Sequence, residues 1–315
     1  AYRRALADAA NLPTRILAFR NKPSNPRNVD VPLSPPSKPP KPKRHIPKHS
    51  ERSLKVPQLR DDFRLNLLDW SKKNVVSVAM DTRVLLLNPS KKSDEKIVGD
   101  DYEEGVFTSV CWSPDGRYIT IGLDNSTVQI WDAFLPRKVR VLRDGHRGIV
   151  GHWLGTGTQT WGLWAQVVTF RFEEHTASVR ALAWCPLQNN LLASGGGEGD
   201  HCIKLWNTRT GACLNSVDTG SQVCALAWNK NERELLSSHG FPHNQLTLWK
   251  YPSMLKRSEL KDHTSRVLYM AQSPDGGSVA TTSGDKSLRF WNVFETPTAA
   301  AIKDEPPFAN FNSIR

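Results

Sequence analysis

The chain has 315 residues, of which 38% are hydrophobic, and a net charge of +11, so its apolar content is sufficient for one large folded core. No stretch reaches the ~20 consecutive apolar residues of a membrane-spanning helix, and no secretory signal pattern opens the chain. It contains no metal-ligand cluster, phosphate-binding glycine loop or nucleophile–base pair, so we expect no catalytic site, no metal and no cofactor.

Residues 1–51 are predicted to form a disordered, basic, proline-rich arm. Eleven of the 21 prolines lie between residues 13 and 57, and proline removes the backbone donor that helices and sheets require. Residues 1–60 contain 14 Lys or Arg and 3 Asp or Glu, which accounts for the whole net charge. A solvated tail is the simpler interpretation, and contact with an acidic partner surface or with nucleic acid is the alternative. Because residues 61–315 are neutral overall, we expect no nucleic-acid partner for the folded part. The lack of a long apolar run predicts no membrane partner.

A repeated pattern follows the arm. Each unit has an apolar strand, a turn, a strand of small residues, a second turn and an apolar strand ending in Trp, and the clearest copies are residues 108–132, 177–207, 222–250 and 265–292. Trp206, Trp249 and Trp291 are 43 and 42 residues apart, and Trp70 and Trp112 are also 42 residues apart, at another place in the unit. A period of 40–45 residues that ends in Trp-Asp or Trp-Asn is the signature of a WD40 blade.

The sequence therefore predicts an all-β WD40 β-propeller over residues 52–295, followed by a flexible tail at 296–315. The last unit ends at Asn292 without an outer strand, and residues 52–56 (RSLKV) are expected to supply it and to close the ring. Histidines precede the innermost strands of three units, where we expect them to hydrogen-bond turn aspartates such as Asp124 or Asp285; they are His146, His175 and His263. The five cysteines lie in strand-like runs and form no C-x-x-C pair, so we interpret them as reduced thiols.

The repeat fails in one place. Trp131 and Trp206 are 75 residues apart, which is less than two repeats, and the 28 residues 147–174 are too few for one blade. We count five recognisable units and a truncated stretch. The ring is either small or distorted, or the sequence lacks a piece through a gene-model error or a splice variant; we favour the missing piece.

Four runs resemble the Fizzy family, the cell-division-cycle-twenty-type activators of the anaphase-promoting complex. They are residues 63–71 (FRLNLLDWS), 222–226 (QVCAL), 238–251 (SHGFPHNQLTLWKY) and 263–268 (HTSRVL). The resemblance implies a seven-bladed propeller that is not an enzyme. It implies that the chain presents substrates with destruction boxes or Lys-Glu-Asn (KEN) boxes to a ubiquitin ligase. The reduced cysteines favour a location in the nucleus and cytoplasm. The alternative is a generic WD40 scaffold, or an inactive paralogue that has lost a blade.

The resemblance also assigns roles to individual residues. Asp62 resembles the acid that receives the destruction-box Arg, although Lys286 stands where the family has a second acid; Asp285 or Asp61 is expected to compensate. The implied KEN-box residues are Asp69, Gln222, Asn244 and Arg266. A segment similar to the motif for a HORMA-domain spindle-checkpoint protein favours the mitotic branch and consists of Arg15, Ile16, Leu17, Phe19, Lys22 and Pro23. The final dipeptide, Ile314 and Arg315, resembles the tail that docks on tetratricopeptide subunits of the complex.

Overall fold

Twenty β-strands make up the regular structure of the described part of this chain. The computed structural model describes residue 44 and residues 46–91, 95–99, 105–135, 137–143 and 172–294, and within these ranges every regular element is a strand. These residues belong to one compact unit that begins at Arg44. The all-β prediction is confirmed.

The strands form five antiparallel sheets of four strands each. The first sheet contains β2 (Leu68–Trp70), β3 (Val76–Met80), β4 (Arg83–Leu87) and β5 (Glu95–Val98), and the second contains β6 (Phe107–Trp112), β7 (Tyr118–Leu123), β8 (Val128–Asp132) and β9 (Arg137–Leu142). The third contains β10 (Val179–Trp184), β11 (Leu191–Gly196), β12 (Cys202–Asn207) and β13 (Ala212–Asp218). The fourth contains β14 (Val223–Trp228), β15 (Glu234–His239), β16 (Leu246–Lys250) and β17 (Leu255–Leu260). The last contains β18 (Val267–Gln272), β19 (Ser278–Ser283), β20 (Ser287–Asn292) and β1 (Arg52–Lys55).

The last sheet is completed from the beginning of the unit. β1 pairs antiparallel with β20, with Arg52 opposite Phe290 and Lys55 opposite Ser287. Val56 follows β1, is fully buried and donates its N–H to the Lys286 carbonyl at 2.8 Å. The predicted strand exchange is confirmed, and it removes the exposed edge that β20 would otherwise present.

Among the described residues, those from 44 to 51, which precede the boundary predicted at residue 52, also contact the sheets. The Arg44 guanidinium donates to both carboxylate oxygens of Glu234, at 3.0 and 3.2 Å. Ile46 packs against apolar residues of the last two sheets, and the backbone N–H and hydroxyl of Ser50 donate to the Asp262 carboxylate at 2.6 and 2.8 Å. A two-point Arg–carboxylate contact fixes orientation as well as position.

A repeated side-chain network braces the last sheet internally. Thr281 Oγ1 lies 2.8 Å from both Trp291 Nε1 and His263 Nε2, and His263 Nδ1 lies 3.0 Å from Asp285. Burial alone would raise the pKa of Asp285, but hydrogen bonds from His263 and Ser287 outweigh it and hold that pKa below its usual range. The predicted role of His263 is confirmed.

The third and fourth sheets carry versions of the same network. In the third, His175 contacts Asp200 and lies 2.6 Å from the Ser194 hydroxyl, which also accepts from Trp206 Nε1 at 2.7 Å. In the fourth, the histidine is His239 on β15 instead, a position that the sequence pattern did not single out. In the second sheet, Asp124 accepts from the Val106 N–H at 2.9 Å. His146 lies outside the described residues, so its pairing with Asp124 stays a prediction.

Each sheet contributes one innermost strand, and these are β2, β6, β10, β14 and β18. The segment before β2 runs parallel to β6, with Asn66 beside Ser109. We call the end where the inner strands begin the upper face. It also carries the β15–β16 and β19–β20 turns, and the opposite end is the lower face. Among the described residues, the second sheet packs on the first, the first on the last, the last on the fourth and the fourth on the third.

The second and third sheets, which flank residues 144–171, carry most of the exposed large apolar side chains. On the second sheet these are Phe134, Leu135, Val139, Val141 and Leu142, and on the third they are Val179, Leu182, Trp184, Leu187 and Leu214. The inner strand β6 is mostly buried, whereas β10 is buried at Ala181 and exposed at several other positions. These two sheets are the ones between which the sequence repeat fails.

Candidate functional site

The segment that leads into β2 lies beside the start of β18 on the upper face. Arg266 Nε donates to the Asp61 carboxylate at 2.6 Å, and its Nη2 donates to the Asp61 carbonyl at 3.1 Å. Hydrogen bonding to Asp61 raises the pKa of Arg266 above its usual value. Gly284 packs directly against Asp61. A Cβ at this position would lie only 2.8 Å from Asp61 Oδ2. The geometry places an ion pair at the junction of the first and last sheets.

Asp62, the predicted destruction-box residue, is exposed at this junction. Its side-chain Oδ1 accepts the Arg64 N–H at 2.8 Å, and its carbonyl accepts the Tyr269 hydroxyl at 2.7 Å. Tyr269 is buried, and burial raises the pKa of its hydroxyl, which therefore stays protonated and able to donate. The hydrogen bond from Tyr269 thus fixes the backbone of Asp62, while the exposed Asp62 carboxylate can accept a cation.

Arg180 reaches this junction from β10, across the centre of the upper face. Its guanidinium carbon lies 4.9 Å from the Phe63 ring and 5.0 Å from the Tyr269 ring, and Nη2 donates to the Leu65 carbonyl. Burial lowers the pKa of Arg180, and its Nη1 has no hydrogen-bond partner among the described residues. A desolvated cation between two rings is a strong cation–π arrangement. Neither the repeat nor the resemblance had singled out Arg180.

Gln222 and Asn244 lie on the same face, at the neighbouring fourth sheet. The Gln222 carbonyl accepts the Gly240 N–H at 2.9 Å, and the Gly240 carbonyl accepts the Asn244 N–H at 2.9 Å. A Cβ at Gly240 would lie 2.6 Å from Gln222 Oε1 and 3.4 Å from Arg266 Cβ. The absence of a side chain there lets Gln222 and Arg266 approach each other. The structure therefore brings together Asp62, Gln222, Asn244 and Arg266.

Asp69 is placed elsewhere. It lies in β2 near the lower face, where its carboxylate accepts the Trp70 N–H at 2.8 Å and the Trp112 N–H at 2.7 Å. Burial raises the pKa of Asp69 against the effect of these hydrogen bonds. The carboxylate links β2 to the lower end of β6. Arg266 lies at the upper face instead, directly before β18. The assignment of Asp69 to the KEN-box site stays a prediction, and the geometry gives Asp69 a structural role.

Lys286 reverses the charge expected beside Asp62. It is exposed, at φ +58°, in the turn between β19 and β20. Both carboxylates that were expected to compensate for Lys286 already have partners. Asp285 binds His263 and Ser287, and Asp61 binds Arg266. Asp62 is therefore the acid of this junction that carries no side-chain ion pair among the described residues.

Two predicted motifs lie outside the described residues: the segment from Arg15 to Pro23, and the terminal pair Ile314 and Arg315. Within the described ranges no group of three or more His, Cys, Asp or Glu side chains could hold a metal ion, and no helix is long and apolar enough to cross a membrane. All five cysteines are free thiols, and burial raises the pKa of Cys224 to about 12.

Comparison with known proteins identifies the family. The model of the WD domain, G-beta repeat, matches residues 97–132, 166–207 and 255–292. The chain is 48% identical to "Cell division cycle 20.1, cofactor of APC complex" from Arabidopsis thaliana, over 100% of this chain and 84% of the relative. This chain belongs to the cell division cycle 20 family.

Two further comparisons refine this result. Protein FIZZY-RELATED 3 from the same plant is 40% identical over 82% of this chain and 64% of its own length, so the cell division cycle 20 relative is the more similar of the two. A chain in the crystal structure of a mitotic checkpoint complex matches with a TM-score of 0.73 and 34% identity, over 90% of this chain and 100% of that chain.

The alignment with the plant cell division cycle 20 protein also bears on the failed repeat. It spans 385 positions, whereas the whole of this chain has 315 residues. The relative therefore has about 70 residues, within the aligned region, that this chain lacks. The expectation of missing residues is consistent with this difference.

Proposed function

We propose that this chain is a substrate-recognition co-activator of the anaphase-promoting complex, a ubiquitin ligase, and acts as an adaptor without chemistry of its own. The observation that carries the proposal is 48% identity, over the whole chain, to a relative named as a cofactor of that complex. The grouping of Asp62, Arg266, Gln222 and Asn244 on the upper face supports the proposal. An exposed acid, an arginine and amide side chains are suited to binding short charged peptides.

In this proposal the upper face binds degrons. The exposed carboxylate of Asp62 receives the Arg of a destruction box, and Arg266, Gln222 and Asn244 bind a KEN box. Arg266 is held by Asp61, so a ligand carboxylate would have to compete with that ion pair. Lys286 opposes an Arg ligand, and we expect destruction-box binding to be weaker than KEN-box binding for this reason.

The proposal extends to two other partners. The segment from Arg15 to Pro23 would bind a HORMA-domain checkpoint protein by strand addition. The terminal Ile314 and Arg315 would dock on tetratricopeptide subunits of the ligase. Support comes from the resemblance of the motifs and from the similarity to a chain of a mitotic checkpoint complex. We also propose that the chain works in the nucleus and cytoplasm.

Peptide binding tests the degron assignments. Fluorescent destruction-box and KEN-box peptides would be titrated into the full chain and into the Asp62→Asn, Arg266→Ala and Arg60→Ala variants. We expect Asp62→Asn to weaken the destruction-box peptide about tenfold and Arg266→Ala to weaken the KEN-box peptide by a similar factor. Arg60→Ala is the control, because Arg60 is an exposed neighbour that pairs with Asp81 at 3.2 Å. Equal affinity for all four proteins would contradict both assignments.

Two observations favour a second candidate, a paralogue that folds but no longer activates the ligase. The chain lacks about 70 aligned residues, and Lys286 reverses a charge at the proposed destruction-box site. Addition of the chain to purified ligase with a destruction-box substrate separates the two candidates. Substrate ubiquitination supports the co-activator, and its absence despite peptide binding supports the inactive paralogue.

A further inference from the structure

The outer edge of the fourth sheet faces another part of the chain. Within the described residues, β17 pairs with β16 alone, so its second edge has no strand partner. Lys48 and His49 lie opposite this edge and form one wall of an open groove of about 610 Å³, and residues 256–261 form the other wall. The residues that line it are Lys48, His49, Lys256, Arg257, Ser258, Glu259 and Lys261.

The groove is positively charged. Four of its lining residues are permanent cations and one, Glu259, is an anion. Glu259 accepts from Lys256 at 2.5 Å and from Lys261 at 3.0 Å. These two lysines lower the pKa of Glu259, so it stays ionised and holds both ammonium groups at the groove. Lys48 has no ion-pair partner among the described residues, so the groove has unneutralised positive charge.

Both walls are anchored to the sheet. His49 Nδ1 lies 2.8 Å from the Asp262 carboxylate, and Ser50 donates to the same carboxylate. On the other wall, Arg257 pairs with Glu234, which also holds Arg44 and accepts from Asn229 at 3.0 Å. A groove held from both sides needs little reorganisation on binding, which favours affinity.

We propose that this groove binds an acidic peptide segment in extended conformation, which adds a strand to the edge of β17. A free strand edge offers backbone donors and acceptors that pair with a peptide. Carboxylates that alternate along an extended peptide can approach the lysines and avoid Glu259, since alternate residues of a strand point the same way. A uniformly charged nucleic-acid backbone cannot avoid Glu259 in this way. The site is distinct from the upper face, and the inference does not depend on the proposed function.

Titration of a defined probe tests the inference. The probe is a fluorescein-labelled peptide of four Glu-Thr repeats, measured by anisotropy with the full chain in moderate salt. The Lys256→Glu, Lys261→Glu double variant is expected to weaken binding about tenfold or more. The Lys256→Arg, Lys261→Arg double variant should bind as the parent does. Thermal melting would establish that each variant is folded.

A matched control separates the groove from overall charge. The Lys55→Glu, Arg209→Glu double variant changes the net charge equally at exposed positions outside the groove, and we expect less than about a twofold effect. A probe N-methylated at alternate residues should bind poorly, because it cannot donate to β17. Unchanged binding by the Lys256→Glu, Lys261→Glu variant would overturn the inference, as would unchanged binding of the N-methylated probe. Tighter binding of an oligothymidylate that displaces the peptide would also overturn it.

Discussion

At the scale of single residues, His239 gives the fourth sheet a defined response to pH. It is fully buried, with Nε2 2.7 Å from the Ser237 hydroxyl, which also accepts from Trp249 Nε1 at 2.7 Å. Burial lowers the pKa of His239 to about 4, so the folded protein keeps it neutral at pH 7. An unfolded chain protonates this histidine near its ordinary value of 6.5.

The unfolded state therefore binds the proton first as the pH falls. The contribution of His239 to stability is complete above about pH 6.5 and is lost between about 6.5 and 4, and the shift corresponds to about 3 kcal/mol. Denaturant unfolding at several pH values should show a steeper loss of stability in the parent protein than in His239→Gln. His263, whose pKa burial also lowers, contributes to both proteins and cancels in the comparison. Parallel curves would contradict the assignment to His239.

The two bracing histidines, His239 and His263, were not equally predictable from the sequence. His263 was predictable because it occupies the repeated position before an inner strand, and its contact with Asp285 follows from the WD40 pattern. His239 sits on the second strand of its sheet and performs the same bracing from a different place. Its role depends on how Ser237 and Trp249 are packed, which a one-dimensional repeat does not encode.

At the scale of elements, β1 determines whether the last sheet is complete. Val56 is fully buried, whereas its neighbour Lys55 is exposed. We expect Val56→Ala to lower the free energy of unfolding by about 2 kcal/mol, because it removes buried apolar surface and leaves a cavity. Lys55→Ala, the adjacent control, should change it by less than about 0.5 kcal/mol.

Removal of the whole element is a stronger test. Deletion of residues 50–58 removes β1, Val56 and the Ser50 contact with Asp262. The melting temperature should fall sharply, since the edge of β20 loses its partner. A melting curve that matches the parent would show that β1 does not hold the last sheet together.

The elements were the part of this protein that sequence predicted best. The strands, the turns and the exchange of residues 52–56 follow from alternating apolar residues and from a missing outer strand. The anchoring of residues 44–50 did not follow, because Arg44 looked like one basic residue among many in a proline-rich arm. Its partner, Glu234, is distant in sequence and is revealed only by folding.

At the scale of the whole molecule, Arg180 connects the third sheet to the junction of the first and last sheets. Its contacts with Phe63, Tyr269 and the Leu65 carbonyl cross the centre of the upper face. The Tyr269 hydroxyl in turn fixes the Asp62 carbonyl. The position of the proposed destruction-box acid thus depends on a residue of a sheet that does not adjoin it in the packing order.

Substitution of Arg180 tests this connection. Arg180→Met keeps an apolar stem but removes the cation and the hydrogen bond, and we expect a loss of about 2 kcal/mol in the free energy of unfolding. Arg117→Met is the control: Arg117 stacks on Tyr118 at 5.2 Å and pairs with Asp132, but its side chain is 53% exposed. It should cost less than about 1 kcal/mol. Chemical denaturation of both variants provides the measurement, and equal losses would show that Arg180 is an ordinary surface arginine.

The sequence by itself determined the repeat, the strand order within each unit, the closure by residues 52–56 and the family, because these depend on local periodicity and on runs of identical residues. The tertiary structure alone decided which charged groups are already paired. Asp61 is taken by Arg266 and Asp69 by backbone N–H groups near the lower face, and neither pairing was predicted from the sequence. Charge pairing depends on distances between residues far apart in the chain, and those distances are set only when the sheets pack together.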